Sequence, residues 1–333
     1  MPAPFAHSQT ARAAAASAAE NAPEDRNQPL RGILYKITSV LLMVVMQGIV
    51  KYASDDIPTG EIMFFRSFFA IPVIVVWMAA TGHLGDGWKT RDPIGHFYRG
   101  FAGGLSQGMI FAALGLLSFP EVTAIYYAAP LIVVILAAMF LGEQVRAFRL
   151  FTVGLGLAGV LIVLSPRLET LNAGDVGGTQ ALGAMLALTS AICGALAQVF
   201  IRKMVAQEST SAIVFWFSVN CSVLSLITLP WGWVMPSAGM AVALVLTGVL
   251  GGLGQVFLTA SYRYADASIV APFEYTSMVF ALGAGWLIWS EVPSLQMLGG
   301  AALIMFAGIL IILRERKLGL QRARQRRAMT GGS

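Results

Sequence analysis

Charge is scarce in this sequence. Lysine, arginine, aspartate and glutamate make up 12% of 333 residues, about half of what a soluble domain carries. That shortage excludes an ordinary water-soluble fold. Histidine and cysteine are rarer still. His7, His83 and His96 fall in predicted tails or loops, and Cys193 and Cys221 in apolar stretches, with no pairing motif and no metal-ligand spacing. The stretch GHLGDGWKT (82–90) resembles a phosphate-binding loop only briefly. Trp88 separates Gly87 from Lys89 and no strand precedes it. No nucleotide-binding motif is left to couple ATP hydrolysis to work, and no serine, cysteine or zinc constellation suggests an enzyme. Short alternating segments are also missing, which excludes a β-barrel. Residues 1–29 have no apolar core followed by a cleavage site, so they read as a disordered tail rather than a secretory leader.

What is present is apolar sequence, 57% of residues at a mean hydropathy of +0.73. It comes in blocks of roughly 20, the length a helix needs to cross about 30 Å of hydrocarbon. The reading is an all-α polytopic membrane protein. Ten transmembrane helices are predicted, at 32–52, 60–80, 99–117, 121–141, 148–165, 181–201, 211–229, 239–262, 268–290 and 296–313. Pro58, Pro120, Pro230 and Pro293 mark span boundaries. The formal charge of +5 belongs to topology rather than to nucleic acid. With the N-terminus inside, Lys36 and Arg99 count among the inner charges, the outer segments keep only Lys51 and Arg167, and Arg66 lies within a span. Both termini are therefore predicted to be cytoplasmic. The basic tail 314–333 reads as an anchor at the membrane lipid.

One phrase is written twice. GGLSQ (103–107) falls on GGLGQ (251–255) at an offset of 148, which also pairs Tyr127 with Tyr275 and Glu143 with Glu291. At an offset of 151, Gln47 falls on Gln198 and IMFFRS (62–67) on IVFWFS (213–218). Two repeats are implied, 30–165 and 181–313, joined by a connection over 166–180. Each has an odd number of spans, so the second is inverted relative to the first. Two inverted five-helix repeats are an architecture of secondary transporters, which bind substrate near the midplane between the repeats.

The stretches FFRSFF (64–69), PEVTAIYYAAPLIVVILAAMFLGE (120–143) and DASIVAPFEYTSMVFALGAGWLIWSE (266–291) resemble the EamA family of the drug/metabolite transporter superfamily. The resemblance covers about residues 30–315. It implies ten spans in two halves and a small-molecule substrate. The APFEY and FFR stretches look most like the branch containing S-adenosylmethionine uptake carriers, with riboflavin importers as near neighbours. Where that branch tends to carry a basic residue within AP-x-x-Y, this chain has Glu274.

The candidate substrate-binding residues are Arg66, Gln107, Tyr126, Tyr127, Gln255, Glu274 and Tyr275. Gln47 and Gln198 are candidates for lining the same cavity. Glu274 is the sharpest, because a carboxylate within a span must be paired, protonated or wet. Tyrosines beside it suit a flat, cationic or hydrogen-bonding substrate. Gln107 and Gln255 have two roles open to them, helix-to-helix hydrogen bonding and cavity lining. Arg66 either snorkels toward Glu61 or binds an anionic group; its depth argues against a bridge to Glu274. The function expected is alternating-access transport of a small organic metabolite, such as S-adenosylmethionine or riboflavin uptake. Export of amino acids or drug-like metabolites, with Glu274 coupling to a proton or another ion, is one alternative. A non-transporting membrane scaffold is the other. No cofactor and no metal are expected.

Overall fold

The computed structural model describes residues 28–141, 147–169, 175–204, 208–265 and 270–330. The expected tail 1–29 lies almost wholly outside them, as does Glu143. The helices are α1 (Pro29–Ala53), α2 (Thr59–Phe68), α3 (Ala70–Ala80), α4 (Pro93–Leu116), α5 (Phe119–Tyr126), α6 (Ala128–Leu141), α7 (Ala147–Glu169), α8 (Asp175–Met204) and α9 (Thr210–Leu226). A short 3-10 turn follows at Leu229–Trp231, then α10 (Ala238–Tyr264), a second 3-10 turn at Ala271–Tyr275, α11 (Thr276–Trp289) and α12 (Leu295–Thr330). There is no strand among the described residues. Six segments are long and apolar enough to cross a membrane, and two shorter apolar helices lie at Leu150–Pro166 and Ser211–Leu226. Large apolar side chains on the outside, such as Val76, Leu161, Val242 and Leu287, are exposed, as lipid rather than water would require. The chain is an integral membrane protein.

Three predicted spans are not continuous helices. The 60–80 span breaks at Phe69 and the 121–141 span at Tyr127, and the 268–290 span begins with a 3-10 turn. Proline explains the first two. Pro72 has no N–H for the Phe68 carbonyl and Pro130 none for that of Tyr126, so the ladder fails one residue further on. Tyr127 N–H is instead shared between the carbonyls of Thr123 and Ala124, each at 3.3 Å. The predicted connections are also shorter than expected. α7 runs through Pro166 to Glu169 and α8 begins at Asp175, so helix takes up most of 166–180. His96, expected in a loop, lies in the first turn of α4 and is buried. The tail is helical too, since α12 continues from the last apolar turn to Thr330.

Packing follows a pattern. α1 packs against α10 and α4 against α8, while α9 packs on α2, α11 on α5, and α12 on α7. Small residues permit the closest of these approaches. A Cβ on Gly159 would meet the Gly300 carbonyl at 2.8 Å, and one on Gly300 would meet the Gly159 carbonyl at the same distance, so α7 and α12 touch backbone to backbone.

Candidate functional site

Two clusters of polar side chains lie where the two halves of the sequence meet. The first surrounds the broken helices. Lys36 on α1 is 2% exposed, and its Nζ lies 3.4 Å from the Glu274 carboxylate in the 3-10 turn before α11. Beside Glu274, Tyr275 is buried with its ring centroid 5.0 Å from that of Tyr127. The Tyr127 hydroxyl donates to the Glu274 carbonyl at 3.3 Å and hydrogen-bonds Ser277. Both tyrosines sit where one helical segment gives way to the next, Tyr127 between α5 and α6 and Tyr275 at the start of α11. The Tyr275 hydroxyl rests against Gly308 of α12, where any Cβ would displace it. A buried ammonium, a half-exposed carboxylate and two phenols thus face each other across the α5–α11 contact, able to bind a polar, flat molecule.

The second cluster is built on two arginines. Arg66 on α2 is 4% exposed and Arg99 on α4 is 7% exposed. The Arg99 guanidinium lies 3.8 Å from the Phe217 ring centroid and that of Arg66 5.8 Å from it. Arg66 and Phe217 are the residues that the 151-residue offset pairs, and here they face each other. The repeated phrases make room for this arrangement. A Cβ at Gly103 would come within 2.8 Å of the Phe217 ring, and one at Gly251 within 3.2 Å of Arg66 Nε. Gln107 donates to Ser67 Oγ at 3.2 Å, next to Arg66 in the chain.

The remaining candidates are more scattered. Tyr126 turns away from Tyr127, with its hydroxyl 2.8 Å from where a Cβ on Gly194 would lie. Gln47 and Gln255 are half-buried and make no protein hydrogen bond among the described residues, while Gln198 is exposed. The proposed snorkelling of Arg66 toward Glu61 does not occur. Glu61 is buried and accepts from the Val234 N–H at 3.0 Å, which commits it to the turn ahead of α10. No group of His, Cys, Asp and Glu that could hold a metal occurs among the described residues.

Charged contacts close both ends of the bundle. At one end, Lys51 pairs with Glu291 at 2.9 Å and donates to the Leu117 and Leu114 carbonyls at 2.7 and 3.3 Å. Glu291 also accepts from the Phe119 N–H at 2.9 Å. Ser290, in the left-handed conformation at φ 55°, ends α11 and swings Glu291 into this position. A cavity of about 610 Å³ opens here, lined by Lys51, Glu121, Gln180 and Glu291 among others. None of the candidate residues from sequence lines it. At the other end, Glu208 is buried and accepts from the Arg91 and Asp92 N–H groups at 2.6 and 2.9 Å and from Thr90 at 3.0 Å. Burial pushes its carboxyl up, but these bonds and nearby His96 outweigh that and hold it below its ordinary value.

Sequence reasoning missed Lys36, Arg99 and Lys51. Each was counted as a marker of membrane topology, because each lies near a span end. The overlooked signal was depth, since all three sit inside helices rather than between them.

Comparison with known proteins finds one family match, made twice. The EamA-like transporter family matches residues 30–165 and again 181–314. Pseudopaline exporter CntI of Pseudomonas aeruginosa is 31% identical over 283 residues, covering 84% of this chain and 94% of that one. The S-adenosylmethionine uptake transporter of Rickettsia felis is 30% identical over 290 residues, covering 86% and 94%. Among the solved structures that match, one crystal structure has a TM-score of 0.60 at 19% identity, over 86% of this chain and 98% of the other; that likeness is one of fold.

Proposed function

The chain belongs to the EamA-like transporter family, and from that premise we propose that it is a secondary transporter. It moves a small organic metabolite across the cytoplasmic membrane by alternating access. It has ten spans in two inverted five-helix repeats, 30–165 and 181–313, with both termini in the cytoplasm. The double family match and the symmetric helix pairing support this arrangement.

The observation that carries the reading is the Lys36–Glu274 pair at 3.4 Å, set beside the facing tyrosines Tyr127 and Tyr275 where spans are broken. Interrupted helices inside a membrane are tolerated where they line a path or are covered by protein. Substrate, or a coupling proton, competes with Lys36 for Glu274. Gln107, Gln255 and Tyr126 complete the lining, with Arg66 deeper in. The relatives named above work in opposite directions, so export stands beside uptake as a second reading.

Proteoliposomes holding the full chain are loaded with, or bathed in, labelled S-adenosylmethionine, riboflavin and a panel of amino acids. Flux of at least one is expected, and Glu274→Gln reduces it about tenfold or more, the effect of a lost charge-assisted contact. Absence of flux for every compound would sink the transporter reading. Undiminished flux in Glu274→Gln would remove that residue from the site.

A further inference from the structure

We propose that Arg66 and Arg99, gathered on Phe217, form a binding site for the carboxylate of the transported metabolite. The inference deepens the transport reading and rests on it for the word metabolite. It starts from an imbalance. Two guanidinium groups are buried together, and Arg66 Nε, Arg99 Nε and Arg99 Nη1 have no hydrogen-bond partner. Neither arginine makes an ion pair among the described residues. Buried charge without a partner is among the most costly arrangements a fold can hold, so it persists where something outside the chain completes it.

The described carboxylates nearby are already engaged. Glu61 holds the Val234 N–H. Glu208 holds the backbone of Arg91 and Asp92 at the far end of α4. Glu274 pairs with Lys36. A counter-ion for Arg66 and Arg99 therefore has to come from solution. Phe217 supplies the other half of the site. The Arg99 guanidinium carbon lies over its ring at 3.8 Å, a cation–π contact that leaves Nε and Nη1 free to donate. Arg66 reaches the same ring from α2 and Arg99 from α4, both in the first repeat, while Phe217 comes from the second.

The glycines bear on the same point. Gly103 and Gly251 open the repeated phrases, and each leaves room for one member of the cluster, Phe217 and Arg66 in turn. The one motif duplicated in polar and glycine residues thus has its first glycine at this cluster in both copies. Pairing Arg66 with Phe217 across the repeats, rather than Arg with Arg, gives an axial site that is cationic on one side and aromatic on the other. That asymmetry can orient a bound molecule.

A carboxylate fits better than a phosphate. A guanidinium fork matches either oxyanion, but the cost of taking an ion out of water rises with the square of its charge, and a phosphate dianion would face it in a site bounded by Phe217 and the buried Cys221. A singly charged, planar group enters most easily.

The test is thermal unfolding of the full chain, purified in detergent, with glutarate and L-glutamate as probes. Their methyl esters, chloride and phosphate serve as controls at matched ionic strength. The two acids are expected to raise the midpoint saturably, and the esters and chloride are not. Arg66→Gln and Arg99→Gln each weaken the apparent affinity about tenfold or more, while Arg99→Lys recovers part of it. If the glutamine variants fail to fold, acid against ester on the wild-type chain decides the matter alone. No saturable shift with either acid overturns the proposal, as does an equal shift with phosphate or chloride, or full affinity in both glutamine variants. No flux is measured, so failure here leaves the transport reading standing. Conversely, absent flux in proteoliposomes leaves the carboxylate site measurable.

Discussion

Breaking the Lys51–Glu291 contact should loosen one end of the bundle by a predictable amount. The pair is 12% and 19% exposed at its two side chains and 2.9 Å long. Exposed ion pairs contribute about 0.2–1 kcal/mol, and breaking fully buried ones costs about 3–5. A pair between these limits should show a coupling energy of about 1.5 kcal/mol. Lys51→Met also strips the donor from the Leu114 and Leu117 carbonyls at the end of α4. That variant should lose about 3 kcal/mol in all. Glu291→Gln keeps an acceptor for the Phe119 N–H and loses about 2 kcal/mol. The double variant should then lose about 3.5 kcal/mol rather than the sum of the two. Unfolding of the four proteins in mixed micelles, followed by circular dichroism, measures the cycle. A coupling energy below about 0.3 kcal/mol would refute the reasoning, for the two side chains would then be acting independently.

Two further outcomes follow from the same structure. Gly308→Ala places a methyl group where the Tyr275 hydroxyl rests, so Tyr275 must leave Tyr127; a lower unfolding midpoint together with impaired transport is expected, and a silent variant would count against the tyrosine contact. Glu208 is held below its ordinary value of 4.5 by hydrogen bonds that exist only in the fold. Its contribution is therefore full above about that pH and is lost as pH falls through its depressed folded value. Glu208→Gln should flatten the acid limb of a stability–pH profile even with His96 still 3.6 Å from position 208, and an unchanged limb would show that other groups govern it.

Membrane architecture was legible in the residues because hydrocarbon imposes a one-dimensional rule. A helix in lipid must satisfy its own backbone and show apolar side chains over a known length, and that can be read along the chain. Family membership was legible for a related reason, since FFRSFF, the tyrosine-bearing span and APFEY carry the resemblance in contiguous stretches. Helix breaks were only half visible. Pro72 and Pro130 each lie three residues beyond a break, but within runs that read as continuous spans, so neither break was expected.

The partners of the charged residues could not be read from the chain. Lys36 and Glu274 are 238 positions apart, and whether they meet depends on how α1 is rotated about its axis and where the 3-10 turn before α11 is held. Arg99 looked like a topology marker because a span's inner edge and its first buried turn differ by only a few residues. Its role as one of two unpartnered guanidinium groups on Phe217 appears only when α2, α4 and α9 are brought together. Periodicity and composition are properties of neighbours along the chain, so the sequence alone specified an all-helical membrane protein and its kinship. Pairing a buried charge depends on neighbours in space, and only the packed helices decided which charges have partners and which await one.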